Sequence, residues 1–272
     1  MTIVERKDYI MHCLAANSSV SVAELAQQFG ISEVSVRKLL DSMEKEGMVR
    51  RTWGGAVSQY SSLHEYNYRE KAAQHHPEKV AIAAAAYDLI EDGDAVFLDK
   101  GTTVLELAKQ IVGGPKRNLM VCTNTLDIAM ELSKCSDLTI ILTGGTLRTN
   151  VMSCVGPLTM EALAQLTFDK YFASCNRFTL EHGFSTPNLS EAEVKRQMRD
   201  SSKEVIMLAD MSKLGDNSLA QIMPISDADV LVTDWHAGPD FAESLRSRNV
   251  QLICGTKPEG KPEGSCGTGI RL

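Results

Sequence analysis

The residues with the most chemistry to offer sit together in Ala95-Val-Phe-Leu-Asp-Lys-Gly-Thr-Thr-Val104. A short apolar run ends at Asp99, Gly101 follows, and Thr102 and Thr103 lead into a helical pattern over 103–111. A strand, a tight turn and a helix start in succession leave backbone N–H groups unpaired in the helix's first turn, with hydroxyls beside them, which suits an anion. Glycine at 101 lets an anion approach the backbone closely. An ordinary βα turn with a capping threonine has the same sequence, so the stretch takes its meaning from what other segments bring beside it.

Other short β-rich runs end in residues of the same kind. Thr123-Asn124, Thr143-Gly144-Gly145-Thr146, Asn176-Arg177, and Asp210 with Lys213 each follow an apolar run. Any one of these is most simply a turn. Gathered on one edge, hydroxyl, amide and glycine positions suit a phosphate and a polyol. The seven cysteines are scattered without a CxxC pair, which gives no zinc or disulfide framework and leaves reduced thiols as the expectation. Cys175 reads as a buried thiol rather than a nucleophile, and His75-His76, with no third ligand nearby, as solvated histidines. No catalytic residue, metal or cofactor is expected.

The elements that must position these residues alternate. Strand candidates fall at 95–98, 119–122, 138–142, 170–174, 205–209, 229–233 and 251–254. Helix candidates fall at 78–90, 103–111, 126–134, 157–166, 191–202 and 239–248. Apolar strands with helices between them predict a Rossmann-like, mostly parallel α/β sheet, with ligands beyond the carboxyl ends of its strands.

The first 57 residues differ in kind. Ile3, Ile10, Met11 and Leu14 recur at helical spacing, Ser21 with Glu24 forms a capping box, Gly30 closes a second helix, and Ser32 caps a third. Val34, Val36, Leu39, Leu40 and Met43 are expected inward on that third helix, and a two-stranded wing over 48–57 follows, with Gly54-Gly55 at its turn or end. This is a winged helix-turn-helix. Its third helix would enter the major groove of double-stranded DNA, with Ser32, Glu33, Ser35, Arg37 and Lys38 outward and Arg50 and Arg51 on the wing. A small protein-interaction domain with solvated charges is the alternative. The Gly30 turn and the double-arginine wing together favour DNA. A net charge of −7 does not oppose this, since DNA binding needs only a local basic face. The expected division is therefore 1–57 winged helix-turn-helix, 58–76 linker, 77–254 effector-sensing domain, and 255–272 a Gly- and Pro-rich flexible tail. A hydrophobic content of 43%, no run long enough to span a bilayer, and a charged N-terminus predict a cytoplasmic protein that does not engage a membrane.

The run from Ser21 to Leu40, with Glu46-Gly47 and Gly54-Gly-Ala56, resembles the DeoR family of bacterial transcriptional regulators. So do Phe97-Leu-Asp-Lys-Gly-Thr-Thr103, Gly144-Gly-Thr-Leu-Arg148, Glu191-Ala-Glu-Val-Lys195 and Leu208-Ala-Asp-Met-Ser-Lys213, extending the likeness over about residues 3–235. The resemblance implies a sensor domain similar in fold to ribose-5-phosphate isomerase that binds a phosphorylated sugar. It implies that Gly101, Thr102 and Thr103 hold the phosphate, that Asp99, Asn124, Gly144 and Gly145 line the sugar, and that Lys195 and Lys213 supply positive charge. It also sets Arg69 and Lys79 near the ligand mouth. This chain departs from the family at Lys38, Leu39 and Trp53 in the head, at Lys100 where serine is usual, and at Asn176, where an aspartate-containing segment is usual. Lys100 would either add charge to the phosphate site or point to solvent.

These readings predict a repressor of carbohydrate-metabolism genes, a homo-oligomer (dimer or tetramer), whose operator affinity is modulated by a small phosphorylated sugar. The alternative is a sugar-phosphate isomerase with an appended DNA-binding head, using Asp99 as base with Lys195.

Overall fold

The computed structural model describes residues 1–17, 19–46, 48–52, 54–58 and 72–258. The chain falls into two compact units, Met1–His64 and Glu65–Leu272. Arg69 and Trp53, most of the expected linker and the tail from 259 onward lie outside the described residues, as does the side chain of Arg50.

In the head, α1 (Ile3–Asn17) leads through β1 (Ser19–Ser21) to α2 (Val22–Phe29) and α3 (Glu33–Lys45), and then to β2 (Val49–Thr52) and β3 (Gly55–Ser58). The punctuation is the one the sequence announces. The Ser21 side chain accepts from the N–H groups of Ala23 and Glu24, at 3.2 and 3.5 Å, and Gly30 ends α2 in the left-handed region at φ 63°. Ser32 caps α3 by accepting from the Ser35 N–H at 3.3 Å. The core is Ile10, Leu14, Val22, Leu25, Val36, Leu40, Met43, Val49 and Ala56. The wing is larger than expected: β1 joins it, giving a three-stranded antiparallel sheet in the order β1-β3-β2. Gly55 permits this, because a Cβ there would stand 1.8 Å from the Val20 carbonyl oxygen. Val34, expected inward, points out and is 58% exposed. It lies two residues before Val36, and a 100° step per residue cannot keep both on the same buried stripe.

The second unit contains β4 (Ala95–Leu98), β5 (Met120–Thr123), β6 (Thr139–Leu142), β7 (Thr146–Arg148), β8 (Ser153–Val155), β9 (Phe168–Ser174), β10 (Arg177–Thr179), β11 (Gly183–Thr186), β12 (Ser202–Leu208), β13 (Ala220–Met223), β14 (Val230–Thr233) and β15 (Gln251–Cys254). Its α-helices among the described residues are α4 (His76–Tyr87), α5 (Thr102–Gly113), α6 (Leu126–Leu132), α7 (Pro157–Leu163), α8 (Leu189–Asp200) and α9 (Pro239–Arg246). Seven strands form one parallel sheet in the order β15-β14-β12-β9-β4-β5-β6. These are the seven strands expected from the apolar runs. One face of the sheet packs Phe97, Phe168 and Tyr171 with Met198 and Leu245, and the other packs Val96, Leu98 and Val121 with Ile82, Leu107 and Ile128. The β7–β8 hairpin and the antiparallel sheet β10-β11-β13 were not expected. Their strands have three or four residues, too short to present a period.

The strand order has a consequence for function. From β4 the chain runs outward through β5 to β6, then returns to β9 on the opposite flank of β4 and runs outward the other way. The order reverses between β4 and β9, and a parallel sheet opens a crevice at the carboxyl end of such a reversal.

Candidate effector site and DNA-facing helix

The loops on the two sides of that reversal are Asp99–Thr103 after β4 and Ser174–Arg177 after β9. They are tied together: the Ser174 N–H donates to Asp99 Oδ2 at 3.0 Å, and the Ser174 hydroxyl donates to the Lys100 carbonyl oxygen. Gly101 meets the same serine, since a Cβ there would be 3.0 Å from both Ser174 Cβ and Oγ. Glycine at 101 thus serves the packing of the two loops, a reason the sequence does not reveal. It is also the N-cap of α5 and offers no side-chain cap. The first amides of that helix are therefore left for an anion, with Thr102 half-buried and Thr103 buried beside them.

Charge is concentrated around this point. Lys195 on α8 forms a buried ion pair with Asp99 and also donates to the Ser174 carbonyl oxygen at 3.0 Å. Lys100 is buried as well and does not point to solvent: its Nζ lies 2.7 Å from both carboxylate oxygens of Glu191. Arg148, at the end of β7, pairs with the same carboxylate, and the Thr186 hydroxyl donates to it at 3.2 Å. Further along the sheet edge, Lys213 Nζ stands 3.8 Å from Asp210 Oδ2. Burial alone would raise the Asp210 pKa, but Lys213, the Ser212 hydrogen bond, His75 and Lys79 outweigh it and hold the carboxyl below its usual range. Lys79 is brought down to about 8, first by burial and then by the like charge of Lys213. Beside the start of α5, three cationic side chains (Lys100, Arg148, Lys195) meet two carboxylates (Asp99, Glu191), while further along the edge Lys79 and Lys213 lie among Asp210, Glu106 and Glu78. The surplus of one cation beside α5 favours an anionic ligand.

The remaining predicted positions are structural first. The Asn124 amide donates to the Cys154 carbonyl oxygen at 2.9 Å, so it braces β8. Thr159 donates to the Gly144 carbonyl oxygen at 2.7 Å, and Gly145, at φ 131°, would drive a Cβ to 2.0 Å from the Thr159 hydroxyl oxygen. Of the flagged pair after β9, the Asn176 side-chain oxygen lies 3.3 Å from the Thr186 hydroxyl, competing with Glu191 for its proton, and Arg177 donates to the Ser212 carbonyl oxygen at 3.0 Å. Burial pushes the Cys175 thiol up to about 12, which leaves it a poor nucleophile near neutrality. Asp99 is held by Lys195 and Ser174, which does not present it as a free carboxylate base.

The sequence reading quoted Glu191 and Arg148 only as parts of motifs and did not single out Ser174. A signal for Glu191 was present. It lies one turn before Lys195 on α8, and two opposite charges at that spacing on a helix face otherwise made of Ala192, Val194 and Met198 mark a buried ionic face.

In the head, α3 presents Glu33, Val34, Ser35, Arg37 and Lys38 as exposed residues. Arg37 meets Glu33 at 2.5 Å on the surface. The Ser32 and Ser35 hydroxyls are 3.0 Å apart, both engaged at the helix start. Arg51 also ties the wing to α3: its guanidinium donates to Asp41 at 2.9 Å and to the Gly55 carbonyl oxygen at 2.6 Å. Among the described residues no group of three His, Cys, Asp or Glu side chains could hold a metal ion.

Two family models account for most of the chain: the DeoR-like helix-turn-helix domain over residues 6–62 and the DeoR C terminal sensor domain over residues 74–235. The chain belongs to the DeoR family. It is 34% identical to the HTH-type transcriptional regulator GlpR of Haloferax volcanii, over 94% of this chain and 99% of that one. It is 32% identical to a putative aga operon transcriptional repressor of Escherichia coli O157:H7, over 92% and 93%. A solved ribose-5-phosphate isomerase from Plasmodium falciparum aligns with a TM-score of 0.38 and 15% identity, over 53% of this chain and 55% of that one. As a DeoR-family member the protein is a DNA-binding transcriptional regulator with a carboxyl-terminal sensor domain. Among the described residues no helix is long and apolar enough to cross a membrane.

Proposed function

We propose that this regulator is a repressor of carbohydrate-metabolism genes, acting in the cytoplasm, and that a phosphorylated sugar bound at the β4–β9 crevice sets its operator affinity. The observation that carries the reading is the uncapped start of α5 lying beside a cluster with more cations than carboxylates, at the reversal of strand order. The phosphate sits on the amides of Gly101, Thr102 and Thr103. Asp99, Asn124, Gly144 and Gly145 face the sugar, and Lys100, Lys195 and Lys213 balance the charge. In the head, Ser32, Glu33, Ser35, Arg37 and Lys38 face the major groove, with Arg50 and Arg51 on the wing. The domain division is the one read from the sequence, and the sensor domains associate as a dimer or tetramer so that two heads meet two half-sites. An effector that prefers the DNA-free form weakens operator binding by the factor of that preference.

A thermal-shift panel tests the sensor: pentose and hexose phosphates, the same sugars without phosphate, and inorganic phosphate. A ligand bound only by the folded protein raises the melting temperature. Stabilisation by a phosphorylated sugar, absent with its free sugar, is expected. No shift with any phosphorylated sugar at millimolar concentration overturns the reading.

A further inference from the structure

Val34 is out of place for a core residue. It occupies the first turn of α3, is 58% exposed, and is flanked by exposed Glu33, Ser35, Arg37 and Lys38. The other large apolar side chains exposed among the described residues of the head, Met1, Ile3 and Val4, all lie at its N-terminus. Val34 therefore stands alone as an apolar group on the polar outer face of the helix. The inward residues of α3, Val36, Leu40 and Met43, are buried without it, so its branched side chain contributes nothing to the fold core. Its position is the one from which a second helix of a helix-turn-helix reaches base edges. The major groove offers one apolar group at a base edge, the C5 methyl of thymine.

We infer that Val34 reads a thymine methyl, fixing an A·T pair at one position of each half-site. Arg37, one turn further along, is placed to contact a neighbouring base or phosphate, and its Glu33 partner holds the guanidinium on the same face. The contact is specific to the methyl group, so deoxyuridine, which pairs identically and lacks only that group, abolishes it. Removing one buried methyl-sized contact lowers affinity about fourfold, by the conversion of ~0.8 kcal/mol.

The experiment uses the full chain. Bound duplexes are recovered from a random library, and each thymine of the enriched site is replaced in turn by deoxyuridine. Wild type is expected to lose about fourfold in affinity at one thymine per half-site. Val34→Ala should bind the thymine and deoxyuridine duplexes equally, at the weaker value. Its melting temperature should match wild type, because the side chain is exposed. Val34→Thr keeps the branched shape with one methyl and should recover part of the discrimination. Indifference of the wild type to every replacement, or equal discrimination by Val34→Ala, overturns the inference. Retention of duplex DNA without any enriched sequence sinks the base contact alone, whereas no retention of duplex DNA sinks the DNA-facing role of α3 with it.

Discussion

In the head, Arg37 and Glu33 meet with 52% and 50% of their side chains exposed, whereas in the sensor Lys195 and Asp99 meet with 2% of each exposed. Lys7–Glu46 and Arg51–Asp41 repeat the first pattern, each with at least one well-exposed partner, and Lys100–Glu191–Arg148 repeats the second. An ion pair in water is worth little and exchanges partners cheaply, which suits a surface that must trade its own carboxylates for DNA phosphates. A buried pair has lost its hydration and is worth keeping only in one geometry, which suits a site that must tell one small anion from another. The same residue types do opposite work because of where the chain puts them.

The comparison is sharpest at the buried pair. Lys195→Met strands the Asp99 carboxylate, and the sensor should lose about 3–5 kcal/mol in urea-induced unfolding. Adding Asp99→Asn should recover part of the loss. A Lys195→Met protein as stable as wild type would mean the pair is not desolvated. Gly55→Ala breaks the head instead. Its Cβ collides with the Val20 carbonyl, and about 1–3 kcal/mol should go from the head's unfolding transition while effector-induced stabilisation of the sensor is unchanged. Arg37→Ala should weaken specific operator binding by about 1–3 kcal/mol in a mobility-shift titration, yet alter folding stability by less than about 1 kcal/mol. Unaltered operator affinity removes its base-reading role.

The smallest effect concerns pH. Lys79 titrates near 8 in the folded protein against 10.5 for a free lysine, so between those values the unfolded chain binds more protons and stability rises with pH. Below about 8 both states are protonated and the cost of the buried charge is constant. The gap in unfolding free energy between wild type and Lys79→Met should therefore move in favour of wild type from pH 8 to 10.5. A flat gap rules out the burial as the cause.

The seven central strands and their helices were legible because each is an apolar run of the right length between turn residues, and the caps at Ser21, Gly30 and Ser32 because they are single-residue signals. Val34 was misplaced because valine reads as core by its type, although the helical period, which sets it about 200° from Val36, puts it on the opposite face. The site was legible as a set of strand ends but not as an ion-pair network. Partners such as Lys100 and Glu191 lie 91 residues apart, and nothing local in either segment names the other. Gly101 illustrates a third case, a position noticed for the approach of an anion at which the structure shows a different reason for glycine, the approach of Ser174.

The central strand of the head's sheet, β3, is also the last described element before the chain continues toward the sensor, with β1 hydrogen-bonded along one side and β2 along the other. A pull on the backbone at Ser58 runs along this strand and loads both ladders in shear, so that their bonds must yield together rather than one at a time. A load applied at Ser58 would therefore reach the connection before α2 and the arm after α3 at once.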